Sequence, residues 1–235
     1  MALGGGESTP AGSPECEEDA LFESGFENGF EDWNHRQALP GRATIKHGAS
    51  FCGDAHARFE VLPGDVEPET GSNRAEVTGP TYSEGDDLWY RQATRLGDDF
   101  PDEDEFQIIS QWKSGDGSPP VALFVEDDAS LVLRRGDEPF TEFWRGPATT
   151  GVWIDLIVHI KFSEDPSEGF VEVWRDGHRQ TMENGEERIY GETIDGDTGY
   201  VKLGYYRASS HEAPGVVFHD GFRVGASLAD VAPAL

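Results

Sequence analysis

The chain has 235 residues, a length that suits one large all-β domain better than two ordinary domains joined by a linker. Its 46 Asp and Glu residues against 18 Lys and Arg residues give a formal net charge of −28, which repels nucleic acids and anionic membranes. No run of about 18 apolar residues occurs, so the sequence predicts no membrane-spanning helix.

The first 20 residues are rich in Gly, Ser, Pro and acidic residues and are interpreted as a linker, which leaves residues 21–235 as one domain. Such a linker often follows a removed export signal or lipid anchor, so we expect a secreted protein, and we expect it to be a monomer. Cys16 in the linker could form a disulfide with Cys52, or both could be free thiols. Lys occurs only four times, which is typical of proteins from high salt, although a merely acidic surface is an alternative.

Short apolar runs separated by turns follow the linker, and long helical periodicity is missing. The first predicted strands are Ala57–Val61, Asn73–Thr78, Leu88–Leu96 and Phe106–Lys113. A hairpin is predicted next, turning at residues 127–130.

The second half of the chain continues this pattern. Trp153–Phe162 is the clearest strand, because apolar residues at every second position predict one buried face. Asp176 and Gly177 between two strand-like runs indicate a type I′ hairpin, and strands follow at Tyr200–Arg207 and Val216–Val224. About a dozen short strands predict an all-β fold, a concanavalin-like jelly-roll sandwich of two antiparallel sheets.

Three of these strands carry polar residues on faces that are usually apolar. Period-2 geometry allows these faces to meet in one groove. Alternation assigns to them Arg74 and Glu76 in the first strand, Gln107, Ile109, Gln111 and Lys113 in the second, and Tyr200, Lys202, Gly204 and Tyr206 in the third.

The charges near this groove are mostly positive, although the chain as a whole is acidic. A cationic groove on an acidic body would attract an anionic ligand locally. Pairing of these cations with the abundant acids on an outer sheet face is the alternative. The cations concerned are Arg74, Lys113, Lys202 and Arg207, with Arg91 and Arg95 as additions, against the acids Glu76 and Glu105.

The three strands resemble the three signatures of the jelly-roll polysaccharide lyases, which include alginate lyases, glucuronan lyase and heparin lyase I-like enzymes. The family motifs R-x-E, Q-x-H and Y-F-K-x-G-x-Y correspond here to residues 74–76, 111–113 and 200–206. The resemblance extends over about residues 21–224. It is closest to the glucuronan lyase and heparin lyase-like branch, including the Ser-Pro-Pro that follows the second motif.

The resemblance implies a secreted enzyme that cleaves an anionic, uronic-acid-containing polysaccharide by β-elimination and requires no cofactor. Arg74 and Gln111 would neutralise the uronate carboxylate as charge develops on it. Tyr206 would act as the acid and is also a candidate base. Residues predicted to bind the substrate are Lys202, Arg91, Glu76 and Arg207, with Glu76 orienting Arg74.

Lys113 departs from the family pattern, because the second motif usually ends in His. Lys is a poor base at its ordinary pKa, although burial and neighbouring cations lower that pKa. Lys113 is therefore compatible with charge neutralisation, with a role as the base, or with lost activity.

Glu23 and Asp220 resemble a pair of carboxylates that binds a structural Ca²⁺ in many jelly-roll carbohydrate modules, although solvated surface acids are the alternative. Two other functions stay open. A non-catalytic carbohydrate-binding jelly roll would need no base. A glycoside hydrolase would need two carboxylates at E-x-D-x-x-E-like spacing on one strand, and Asp102 and Asp104 lack that arrangement.

Overall fold

The computed structural model describes residues 20–136 and 141–232, which form sixteen β-strands and one short helix. The predicted linker, including Cys16, lies outside these residues except for residue 20. The strands are β1 (Phe22–Ser24), β2 (His35–Ala38), β3 (Ala43–His47), β4 (Ala55–Val61), β5 (Asn73–Ser83), β6 (Asp87–Leu96), β7 (Gln107–Ser114), β8 (Val121–Val125), β9 (Ser130–Arg134), β10 (Glu142–Pro147), β11 (Ile154–Lys161), β12 (Phe170–Arg175), β13 (His178–Arg179), β14 (Ile189–Tyr190), β15 (Thr198–Arg207) and β16 (Gly215–Gly225). The helix α1 spans Leu228–Val231, and no helix of the described residues could cross a membrane.

The strands form two antiparallel sheets, which confirms the predicted jelly-roll sandwich. Sheet A has the order β13-β12-β11-β6-β16-β4-β3, and β1 and β14 pair in addition with β16 and β12. Sheet B has the order β10-β9-β8-β7-β15-β5-β2. The three motif strands β7, β15 and β5 are therefore neighbours in sheet B.

The core lies between the two sheets and follows the alternation of the sequence. On β11, Ile154, Leu156, Val158 and Ile160 all belong to the main apolar cluster, as predicted. Burial of a side chain of this size contributes roughly 1.5–3 kcal/mol. The apolar face of β11 therefore helps to hold the two sheets together.

The predicted hairpin at residues 176–177 is confirmed, because Asp176 and Gly177 have φ values of 50° and 78° and join β12 to β13. A type I′ turn requires a positive φ at both of these positions. The sequence did not predict β1, β2, β3, β10, β14 or α1. These elements are short, and β2 consists of the mostly polar sequence HRQA at the edge of sheet B.

The predicted faces of β7 are wrong for Gln107 and Ile109, because the strand contains a register shift. The pairing with β8 slips between Ile108 and Ser110. A bulge of this kind reverses the side-chain faces on one side of it. Gln107 therefore points inward and accepts a hydrogen bond of 2.5 Å from the Tyr205 hydroxyl, while Ile109 joins the core.

Candidate functional site

A trough with a volume of about 300 Å³ lies on sheet B, where the three motif strands meet. Among the described residues that line it there are four cations and no Asp or Glu. In a chain of net charge −28, this is a local reversal of sign that suits an anionic ligand. The polar side chains of the trough are Arg74, Gln111, Lys113, Ser118, Arg134, Lys202 and Tyr206.

Strand register explains why residues so distant in sequence meet here. Lys202 on β15 lies opposite Gln111 on β7, and Tyr206 on β15 lies opposite Arg74 on β5. Residues at these register positions are direct cross-strand neighbours. The structure thus brings together all four residues predicted to be catalytic, since Lys113 follows Gln111 by two positions on the same face.

Glu76 connects the charged groups from beneath the trough. Its side chain is only 1% exposed and accepts hydrogen bonds from Arg74 Nη1, at 3.0 Å, and from Gln111 Nε2. The Lys202 ammonium lies 3.8 Å from the same carboxylate. A buried carboxylate is tolerated only with such partners. Glu76 therefore orients the two groups that are predicted to neutralise the substrate.

Arg74 is held from three sides. Its Nε donates to Ser72 Oγ at 2.8 Å, and its guanidinium carbon lies 3.9 Å from the ring centroid of Tyr206. The Tyr206 ring also packs edge-on against Phe106, with 5.0 Å between the centroids. The hydroxyl of Tyr206 makes no hydrogen bond to any residue that the structure describes, so this phenol is positioned by its ring while its O–H remains available to a ligand.

Lys113 lies at one end of the trough with its ammonium against the backbone. Burial lowers the pKa of Lys113 from its ordinary value, while the charges of Asp116 and Asp195 oppose that shift. Its Nζ donates to the carbonyl oxygens of Ser114 and Gly115 at 2.7 and 2.6 Å. A neutral amine has two N–H groups for two such carbonyls and keeps its lone pair, so this geometry is compatible with a base.

Lys202 lies deeper than Lys113 and donates to Gln37 Oε1 at 2.8 Å. Burial lowers the pKa of Lys202, Glu76 opposes the shift, and the charges of Arg74 and Lys113 lower it further. Gln37, from the edge strand β2, is a contact that the sequence analysis did not predict. Lys202 thus adds positive charge to the floor of the trough while its position is fixed by an amide.

Gly204 allows β15 to approach β5 closely beside this cluster. Its φ is 148°, and a Cβ atom there would lie 2.3 Å from the Ala75 carbonyl oxygen and 2.7 Å from the Glu76 Cα. Both contacts are with backbone, which cannot move aside as a flexible side chain can. The glycine at the centre of the Lys-x-Gly-x-Tyr motif is therefore required because any side chain there would collide with β5.

Gly204→Ala is expected to destabilise the protein by about 3 kcal/mol, because the methyl group would force β15 away from β5. Gly185→Ala is the matched control, since Gly185 has a φ of 83° but nothing within 4 Å of a Cβ atom. That variant should lose only about 1 kcal/mol, from backbone strain alone. Denaturant unfolding measures both values, and equal losses would contradict the steric explanation.

Two residues predicted to bind substrate lie elsewhere. Arg91 is on β6 of sheet A, where its Nε and Nη2 both donate to the Asp155 carboxylate at 2.9 Å. Arg207 is 1% exposed, and its Nη1 donates to the Ala213 carbonyl oxygen. Arg207 follows Tyr206 directly, so its side chain points to the opposite face of β15. Neither residue therefore lines the trough as predicted, and for Arg91 the alternative of pairing with an acid holds.

Glu23 and Asp220 do not fit a calcium site. The Asp220 carboxylate accepts backbone hydrogen bonds from Phe51, Cys52 and Gly221 at 2.7–2.9 Å, while Glu23 lies 3.3 Å from Arg223. Burial raises the pKa of Asp220 to about 6. Within residues 20–136 and 141–232, no group of three or more His, Cys, Asp and Glu side chains could hold a metal ion. We therefore assign no ion to these carboxylates.

Arg134 and Phe124 also line the trough, although neither was predicted from the sequence. Arg134 ends β9, and its guanidinium carbon lies 3.7 Å from the ring centroid of Phe124 on β8. Strand β8 is apolar on both faces, so its alternation gave no sign of the exposed face. On β9, alternation separates Ser130 and Arg134 from Leu131 and Leu133, and this was the available signal for Arg134.

A family model described as polysaccharide lyase matches residues 22–223. The chain belongs to this polysaccharide lyase family. It is therefore an enzyme that acts on a polysaccharide, and the predicted resemblance is confirmed. A search of curated proteins found no match.

Several solved structures share this fold. The endo-β-1,4-glucuronan lyase from the fungus Trichoderma reesei is 21% identical, with a TM-score of 0.71, and the match covers 92% of this chain and 99% of that chain. An alginate lyase from Corynebacterium sp. is 16% identical, with a TM-score of 0.54 and coverage of 80% and 82%. The catalytic domain of a glycoside hydrolase family 131 protein from Coprinopsis cinerea is 11% identical, with a TM-score of 0.59 and coverage of 90% and 96%. At these identities the likenesses show the shared fold alone.

Proposed function

We propose that this polysaccharide lyase cleaves a uronic-acid polymer of the glucuronan type by β-elimination in the trough. The observation that carries the proposal is the trough itself, which has four cations and no acid among its described lining residues on a strongly acidic chain. The structural likeness to a glucuronan lyase supports glucuronan as the first substrate to test. Such a polymer is too large to enter a cell, so we also propose that the protein is secreted.

The first requirement of the reaction is stabilisation of the substrate carboxylate. Removal of the C5 proton creates an enolate-like state in which negative charge grows on that carboxylate. Arg74 Nη2 has no partner among the described residues, and the Gln111 amide has a second N–H besides the one bonded to Glu76. These groups are charge-assisted donors fixed in advance by Glu76. We assign the carboxylate to them.

The second requirement is transfer of two protons. In the proposed step, Lys113 reacts in its deprotonated form, which is in equilibrium with the ammonium. It takes the C5 proton on its Nζ, and the C5–H electron pair forms the C4–C5 double bond. The C4–O bond breaks, and the Tyr206 hydroxyl protonates the departing oxygen. Burial lowers the pKa of Lys113, which makes the deprotonated amine easier to form than in a free lysine, and the unbonded hydroxyl of Tyr206 is available as the acid.

The experiment is a panel assay in which glucuronan, alginate and a neutral glucan are each incubated with the protein. We expect ultraviolet absorbance of an unsaturated uronate product with glucuronan and none with the neutral glucan. Binding of glucuronan without any product would instead support the non-catalytic carbohydrate-binding alternative. Cleavage of the neutral polymer would contradict the role of the cationic trough.

Lys113→His is expected to retain activity within about 100-fold of wild type and to shift the rising limb of the pH profile towards neutral pH. A base works when deprotonated, so activity rises as pH passes its pKa, and His has an ordinary pKa of about 6.5. The measurement is kcat/KM against pH. Lys161→His is the matched control, because Lys161 also donates to a backbone carbonyl but lies on sheet A. An unchanged profile in Lys113→His would exclude Lys113 as the base.

A further inference from the structure

A second cavity, with a volume of about 560 Å³, lies on the outer face of sheet A, across the sandwich from the trough. A volume of this size is typical of sites for small ligands. Its floor is a row of cross-strand neighbours, because Phe218 on β16 lies opposite both Arg58 on β4 and Arg95 on β6. Val217 and Leu96, which adjoin this row in sequence, belong to the core, so the row faces outward.

Arg95 is a cation without an anionic partner. Its side chain forms no ion pair or hydrogen bond with any residue that the structure describes, although the chain has 46 acids against 18 cations. Its guanidinium carbon lies 4.2 Å from the Phe218 ring centroid and 5.2 Å from that of Trp153. Its Nε is enclosed by protein, whereas Nη1 and Nη2 are not. Stacking therefore fixes the plane of the guanidinium, and its two terminal nitrogens can donate to a ligand.

The other charged groups of the cavity differ from Arg95. Arg58 Nη2 already donates to Glu60 at 2.6 Å. Asp98 and Asp99 also line the cavity and are exposed, and neither forms an ion pair with Arg95. Carboxylates accept hydrogen bonds from sugar hydroxyls, and an aromatic ring suits the C–H face of a pyranose. This combination with one free guanidinium suits a sugar that carries a carboxylate better than it suits a bare anion.

We infer that this cavity is a second binding site for a uronate of the polysaccharide, with the carboxylate on Arg95 Nη1 and Nη2 and the ring against Phe218. The choice of a uronate as the ligand rests on the proposed function. No Tyr, Lys or His is among the described residues that line the cavity, so the acid and base of the trough have no counterpart here. The site binds polymer without cleaving it and keeps other segments of the same molecule near the trough at a high effective concentration.

The direct test is a calorimetric titration of Tyr206→Phe with a short glucuronate oligosaccharide, because this variant is expected to bind without cleaving. We expect two sites per chain. Arg95→Gln in the same background should weaken one site by about 10- to 100-fold, because a charged hydrogen bond is lost. The unchanged affinity of the trough would show that the double variant is folded.

A titration that Arg95→Gln leaves unchanged would overturn the inference. Equal binding of a neutral glucan oligosaccharide at the site that depends on Arg95 would also overturn it, because the carboxylate would then contribute nothing. Failure of the proposed function would appear separately, as the absence of unsaturated product from wild type.

Kinetics on two substrate lengths test the role of the site. Arg95→Gln alone should raise KM for long glucuronan by about 10-fold with kcat unchanged, and should leave both constants unchanged on the short oligosaccharide. Arg179→Gln is the matched control, because Arg179 on sheet A also lies 5.2 Å from a ring centroid, that of Trp174, but pairs with Glu172 and Glu187. It should behave as wild type on both substrates. An equal rise in KM on both substrates in Arg95→Gln, or the same rise in Arg179→Gln, would contradict a second polymer site.

Discussion

Tyr206→Phe should lower kcat on glucuronan by about 10²- to 10⁴-fold while leaving the dissociation constant of the polymer within a few-fold of wild type. The variant removes one oxygen, and that oxygen bonds to no described residue, so folding and the ring contacts with Arg74 and Phe106 are retained. Only the proton donor to the leaving group is lost. Initial rates and equilibrium binding, measured on the same preparation, separate the two effects.

Tyr200→Phe is the matched control for this prediction. Tyr200 lies on the same face of β15, is 37% exposed and is not part of the trough lining. This variant should keep wild-type kcat within a few-fold. Full activity in Tyr206→Phe, or an equal loss in Tyr200→Phe, would remove Tyr206 from the reaction.

Arg74→Lys should lower kcat by about 10²- to 10³-fold, as expected for loss of a preorganised donor to developing charge. Lys keeps the positive charge but cannot bind Ser72 and Glu76, stack on Tyr206 and donate to the substrate at the same time. The loss should be larger in kcat than in KM, because the bond strengthens as the carboxylate gains charge.

The control for Arg74→Lys is Arg36→Lys. Arg36 lies on β2 of the same sheet, and its guanidinium lies 5.5 Å from the Phe30 ring centroid, outside the trough. Its replacement should leave kcat and KM unchanged. If Arg74→Lys is as active as Arg36→Lys, a positive charge alone is sufficient at position 74. The proposed need for several guanidinium N–H donors would then be wrong.

Much of the site was predictable where strand alternation is regular. On β15, alternation assigned Lys202 and Tyr206 to one face and Tyr205 to the other, and the structure has this arrangement. The close approach at Gly204 follows from the absence of a side chain, which the sequence shows directly. The central position of Glu76 was only partly predictable, because its bond to Gln111 depends on how β7 and β5 flank β15.

The failures also have physical causes. The bulge in β7 reversed the faces of Gln107 and Ile109, and the sequence contains no local signal for a bulge between Ile108 and Ser110. Arg91 was misplaced because alternation gives a face but not a sheet, and β6 belongs to sheet A. Phe124 was missed because β8 is apolar on both faces, whereas Arg134 shares a face of β9 with Ser130 and could have been found by alternation.

The most direct test of the central claim is mass spectrometry of the products formed from glucuronan. We predict that each cleavage creates one fragment with an unsaturated non-reducing end, one water lighter than the corresponding hydrolysis product, and that these fragments nearly disappear in Tyr206→Phe. Depolymerisation that yields only saturated fragments would show hydrolysis and would contradict β-elimination in the trough.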